Sequence, residues 1–297
     1  MRNAPLTRRR HNRNVMIIVN AATNLANFRD EIIQELLEQK YQVIIVSPGG
    51  KRLQKYKEKK GCEVVEVNVN RHGKNPLQDC FLFMKYFRLM KKFDPVCILT
   101  YTIKPNIYGG FAARLCRIPY FVNITGLGIV FDNPGILQKS IIVLYRRVMK
   151  HATKVFFQNE ANRSTFIKLG IKFPCSEIIP GSGVNTKINR LESYPEEKEP
   201  LRFLFIARIM REKGIDEYVE AAEIIHETHP NAEFHVIGNC EFDYAEKVEK
   251  WSRDGAIVYH GAQADVHPFI KQCSALVHPS FYMEGISNVC LEAAATG

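Results

Sequence analysis

"RFLFIARIMREKGID", residues 202–216, decides the fold of this chain. Residues 202–209 form an apolar run with the character of a buried strand, and a helical pattern opens at 215 and continues to 229. Between them lies a short turn carrying Arg208 and Lys213. A strand that feeds directly into a helix is half of a βαβ unit, and the pattern repeats downstream. Strands are expected at 233–237, 256–260 and 275–278, with helices at 243–252 and 265–273 and a last helix opening near Ser287, a residue type that caps helices.

Upstream the same alternation has already run once. Strands are expected at 15–20, 42–47, 63–69, 96–101, 120–125 and 154–158, and helices at 28–39, 51–60, 77–92, 105–117, 135–151 and 160–169. The strand segments are continuously apolar rather than alternating, which suits parallel strands covered on both faces. Between the two series, "NTKINRLESYPEEKEP" (185–200) is polar, charged and bounded by proline, and reads as a linker. The expectation is α/β: a basic tail at 1–14, a doubly wound Rossmann-like domain at 15–184, the linker at 185–200 and a second such domain at 201–297. With four strands, the second domain is expected to be incomplete and only weakly stable by itself.

Composition narrows the functional classes. Of 297 residues, 46% are hydrophobic and 10% aromatic, which describes a core-forming chain rather than a disordered one. Eight cysteines are scattered singly with no C-x-x-C, so a disulfide framework or zinc site is not expected, and the thiols read as reduced. No apolar run reaches the roughly 18 residues of a membrane span. The basic N-terminus precedes only five apolar residues, 15–19, short of a signal peptide's apolar region.

Charge divides the chain. Residues 1–192 hold 32 Lys/Arg and 13 Asp/Glu, whereas residues 193–297 hold 9 and 18. The basic half should attract an anionic partner. A nucleic acid is not expected, because no recognition motif accompanies the charge. A Rossmann dehydrogenase is not expected either, since the loop after the first strand reads "NAATNLANF" (20–28) and not G-x-G-x-x-G.

The chemistry gathers at strand ends. Arg208 and Lys213 beside the amino terminus of a helix make a candidate diphosphate site. Near the end of the chain, "FYMEGISNVCLEAAATG" (281–297) sets Glu284 and Glu292 across a helix start. Carboxylates there suit sugar hydroxyls, and the helix amino terminus between them can meet phosphate. No D-x-D occurs, the nearest being "EFD" (241–243), so no metal is expected and the cations would stabilise the leaving group. His226 and His229 in "HETHP" read as ordinary helix-end residues.

"ARIMREKG" followed by this E-x7-E segment resembles the retaining glycosyltransferases of family 4, which have the GT-B fold. In the first half, "TYTIKPNIYG" (100–109), "NITGLG" (123–128), "FFQNEANRSTF" (156–166) and "IPGSGVN" (179–185) resemble the bacterial branch that acts on polyprenyl-diphosphate-linked sugars in capsule, O-antigen and glycan assembly. The resemblance implies a hexosyl or N-acetylhexosaminyl transferase, with a nucleoside diphosphate sugar (UDP-linked) as donor and a polyprenyl-diphosphate-linked glycan as acceptor. It implies no cofactor and a cytoplasmic chain, peripheral at an anionic membrane surface. Catalytic roles would fall to Glu284, Arg208 and Lys213. Donor binding would add Gly285, Ile286 and Glu292, and the cleft loops would include Lys104, Thr125, Gly126, Gly181, Ser182 and Gly183. Two positions depart from relatives: "TYTIKPN" lacks a histidine, leaving Lys104 as its charged residue, and Asn185 stands where aspartate is common. Family members continue beyond the last helix, so a truncated, non-catalytic chain that binds only nucleotide or membrane is the competing expectation.

Overall fold

The structure is a computed structural model that describes residues 13–70, 75–132, 134–191, 200–282 and 285–297. Most of the basic tail, the middle of the linker and Glu284 lie outside the described residues. The chain divides into two compact units, Met1–Ser182 with Glu284–Ile286, and Gly183–Met283 with Ser287–Gly297.

In the first unit, the run from Val15 to Val19 is buried throughout because its side chains serve two cores. Met16 and Ile18 point into one, Ile17 and Val19 into the other. This strand, β1 (Asn14–Ile18), sits inside a sheet completed by β2 (Gln42–Ser47), β3 (Cys62–Glu66), β4 (Cys97–Tyr101), β5 (Tyr120–Ile124), β6 (Lys154–Phe157) and β7 (Ser176–Ile178). The order is β3-β2-β1-β4-β5-β6-β7, and every pairing is parallel. Helices α1 (Ala22–Phe28), α2 (Asp30–Glu38) and α3 (Gln54–Lys57) cover one face. On the other face lie α4 (Pro76–Phe93), α5 (Gly110–Cys116), the one-turn α6 (Ile129–Asp132), α7 (Ile136–Met149) and α8 (Glu160–Lys168).

Local chemistry sets the ends of these elements. The Asn75 side chain accepts from the Leu77 amide and Pro76 occupies the first turn of α4, where a missing N–H costs nothing. Three expectations need correction. Expected helix 28–39 begins only at Asp30, and a separate helix over Ala22–Phe28 precedes it in a stretch read as loop, the two broken at Arg29, whose backbone (φ −136°, ψ 7°) is not helical. Helix 105–117 opens as a π-helical turn, Pro105–Gly109, before α5. Strand β7 went unforeseen because its three residues are mostly solvent-facing and give no apolar run.

The second unit repeats the plan with β8 (Arg202–Ile206), β9 (Glu233–Ile237), β10 (Val258–Tyr259) and β11 (Ala275–Leu276), all parallel, in the order β10-β9-β8-β11. Phe205, Phe234 and Val236 pack under α9 (Ile215–Thr228) and α10 (Ala245–Arg253). Leu204, Ile206 and Ile237 pack with α11 (His267–Ile270) and α12 (Asn288–Thr296) on the opposite face. Expected strand 202–209 stops at Ile206, and Ile209 keeps only an isolated bridge to Cys240. Strands 256–260 and 275–278 likewise shorten to two residues each.

Both orders reverse once. The chain leaves β1 outward to β2 and β3, then returns to β4 on the other side. In the same way it leaves β8 for β9 and β10 and returns to β11. Loops diverge at such a reversal and open a crevice at the carboxyl ends of the strands, where ligands bind in open α/β sheets. The site is sought there.

Candidate functional site

In the second unit, the loops after β8 and β11 flank the reversal. After β8 the chain turns through Arg208, forms a 3-10 turn at Arg211–Lys213 and enters α9 through Gly214. Gly214 has φ +76°, and a Cβ there would lie 2.4 Å from the Pro279 carbonyl oxygen, so only glycine fits without displacing the loop after β11. That loop is tied to the turn directly: the Phe281 amide donates to Glu212 O at 3.1 Å. A second glycine locks the neighbouring edge. Gly238, after β9, has φ +156°, and its missing Cβ would fall 1.7 Å from Ala207 O.

These turns bring two cations onto one aromatic ring. The Arg208 guanidinium carbon lies 5.8 Å and Lys213 Nζ 5.0 Å from the centroid of Tyr282. Lys213 is only 7% exposed, whereas Arg208 is open and pairs with Glu241 at 3.2 Å. An aromatic face attracts a cation without neutralising its formal charge. Tyr282 was not foreseen as a site residue. It lies in the quoted motif two residues before Glu284, but nothing in its own spacing distinguished it from a core aromatic.

Glu292 lies on α12, which starts at the same edge, with Ser287 at its N-cap. The Ser287 side chain makes no capping bond, and no acid occupies the first turn. The amino end of a helix carries partial positive charge. The Glu292 carboxyl is half-buried, and burial followed by the charge of Asp265 pushes its pKa above the usual glutamate range. Glu284 is outside the described residues.

Gly285 and Ile286 group with the first unit. The Gly285 amide donates to Thr125 O at 3.1 Å. A Cβ on Gly285 would fall 1.9 Å from Gln158 Oε1, and Gln158 Nε2 donates to Ser182 Oγ at 3.2 Å. Ser182 and Gly285 therefore meet at Gln158, a buried residue that the sequence did not single out, and Thr125 holds Gly285. Gly126 (φ +153°) and Gly181 (φ +70°) shape loops of this unit, and Gly183 (φ +79°) begins the second. Lys104, after β4, pairs with Asp79 at 2.6 Å, and Tyr108 donates to the other oxygen of that carboxylate at 2.8 Å. This ties the π-helical turn to the first turn of α4.

Residues 16–159 match the family model described as glycosyl transferase 4-like, and residues 200–297 match that of the group 1 glycosyl transferases. The chain is a GT-B glycosyltransferase. It is 28% identical over 294 residues to N,N'-diacetylbacillosaminyl-diphospho-undecaprenol alpha-1,3-N-acetylgalactosaminyltransferase of Campylobacter jejuni, covering 93% of this chain and 77% of that protein. It is 22% identical over 302 residues to the capsular polysaccharide biosynthesis glycosyltransferase CapM of Staphylococcus aureus, covering 96% and 77%. Among solved structures, a glycosyltransferase from Rickettsia africae superposes with a TM-score of 0.72 at 15% identity, covering 96% of this chain and 77% of that one. HepE of Anabaena, solved with UDP-glucose, gives 0.71 at 15% identity, with coverage of 94% and 77%. The glycosyltransferase therefore has its Arg208–Lys213–Tyr282 group at the reversal point of its second sheet.

Proposed function

We propose that this glycosyltransferase moves a hexose or N-acetylhexosamine from a UDP-linked donor to a polyprenyl-diphosphate-linked glycan, with retention and without a metal, in bacterial surface polysaccharide assembly. One observation carries the reading: two cations converge on Tyr282 at the sheet edge where α12 also begins, a constellation suited to a diphosphate. As the bond from the sugar C1 to the diphosphate oxygen breaks, negative charge grows on the leaving phosphate. Arg208 and Lys213 would stabilise that charge. Glu292 would accept from ribose hydroxyls and Glu284 from the sugar. The acceptor hydroxyl supplies the new C1–O bond, and its proton leaves with the departing phosphate. Support for the acceptor class comes from the Campylobacter relative, whose name specifies an undecaprenol-linked substrate.

The first unit is the membrane-facing part in this proposal, at the inner face of the cell membrane. Leu77 and Phe81 on α4 and Ile136 on α7 are exposed at the amino ends of their helices, and residues 136–150 contain no acid. No helix among the described residues is long and apolar enough to cross a membrane. Apolar tips with flanking cations suit an anionic surface.

The deciding experiment is transfer from UDP-sugars to a short-chain polyprenyl-diphosphate glycan, with and without EDTA, followed by NMR of the product anomer. EDTA-resistant transfer with the donor's anomeric configuration is expected. Loss of donor binding in EDTA would defeat the metal-free claim, and an inverted product the retaining one. Sedimentation with anionic vesicles, reversed by salt, checks the surface. Equal partitioning to neutral vesicles at every salt concentration would remove it.

A further inference from the structure

The first sheet has a reversal point of its own, between β1 and β4, and the roles above leave it without a ligand. Arg29, at the break between α1 and α2, is 6% exposed and lies over the ring of Tyr101, the last residue of β4, at 4.2 Å. Its Nη1 donates to Phe28 O at 2.7 Å. No carboxylate among the described residues pairs with it. Burial disfavours the cation, and the neighbouring Tyr101 offsets this in part. Burying a charge is costly unless something pairs with it. A ring face repays only about 2 kcal/mol when desolvated.

A second feature adjoins it. Thr102, the next residue after Tyr101, has φ +73°, a conformation unfavourable to a β-branched residue. Its hydroxyl is buried with no hydrogen-bond partner. Strain and an unused donor at one loop mark a site held ready for something else. An apolar residue in place of Arg29, or glycine at 102, would serve the fold better if folding were the only task.

We propose that Arg29 and the Thr102 hydroxyl form an anion subsite of the first unit, taking a phosphate or diphosphate group at the β1/β4 crevice, separate from the nucleotide site at Tyr282. If the acceptor is diphosphate-linked as proposed above, this subsite holds its diphosphate. Anion binding itself does not depend on that reading.

The test uses the full chain with 15N-labelled arginine and inorganic diphosphate as probe, at matched ionic strength and with UDP saturating the other site. The Arg29 Nε–H signal, identified by its loss in Arg29→Lys, should shift saturably with diphosphate. Arg29→Met should abolish diphosphate binding by calorimetry while UDP affinity stays unchanged. Thr102→Gly should raise the melting temperature and weaken diphosphate at least fivefold. An Arg29 signal that does not move, diphosphate displaced by UDP, or wild-type diphosphate affinity in Arg29→Met would each overturn the subsite. Failure of UDP to bind at all would instead strike the nucleotide site and leave the Arg29 result standing.

Discussion

The two reversal points of this molecule are built alike and furnished differently. Each places an arginine over a tyrosine at the carboxyl edge of a parallel sheet, Arg29 on Tyr101 and Arg208 on Tyr282. In the second unit the arginine is open, a lysine joins it on the same ring, and a glutamate lies in the helix beyond. In the first the arginine is buried, and among the described residues no second cation shares its ring. Strand order repeats between the units while loop chemistry does not, as expected if the scaffold supplies the crevice and the loops choose its ligand. A cation pair with one open member, Arg208, would suit a donor that must leave after each transfer. A buried single cation suits a group that is held.

Experiments can press on that contrast. The largest effect is expected from Gly238→Val, which sets a branched side chain against Ala207 O and should cost about 3 kcal/mol or more. Hydrogen exchange should speed up in β8 and β9 but not in β1 and β4. Acceleration in both sheets would show that the two edges are not separately maintained. Next comes Lys213→Ala, expected to weaken UDP by about 1.5–3 kcal/mol, as for a hydrogen bond to a charged group. Unchanged affinity in calorimetry would exclude Lys213 from the site.

A smaller change is expected from Tyr120→Phe, which removes a buried bond to Val148 O at 2.6 Å. The loss should be about 1 kcal/mol in denaturant titration, with UDP affinity unaltered. Any fall in nucleotide binding would couple the first core to the second site.

The smallest concerns Glu292. Its folded pKa is raised, so the folded chain holds that proton more tightly than the unfolded chain does. Stability from this group is present below the unfolded value and is lost as pH rises through the folded one. Glu292→Gln should therefore flatten the fall in melting temperature above pH 4.5 and melt slightly higher at neutral pH. A lower neutral melting temperature would mean that the carboxylate has a stabilising partner.

Much of the fold was legible because buried parallel strands write themselves as apolar runs. "VMII" and "QVIIV" cannot be read otherwise once each run feeds a helical pattern. The misses have local causes. β7 carries a polar and exposed strand face, and α1 and α2 join without proline or glycine at the break. The motifs located the turn with Arg208 and Lys213, but sequence spacing cannot reveal a shared ring such as Tyr282, since Glu212 and Phe281 meet only through folding. Arg29 was equally invisible: on paper it is one more cation in a basic half, and only its burial, with no acid paired to it among the described residues, sets it apart.

The contact between Gly214 and the Pro279 carbonyl also bears on how this enzyme can be altered. The β8 turn and the β11 loop fit as two halves of one clasp, although some sixty residues of chain separate them. Recombination that brings in one half from a relative would leave a mismatched backbone against a glycine with no room to adjust. Segments 208–214 and 279–282 should therefore travel together as one cassette, and a homologue's version of either should keep the fold intact only when both are moved.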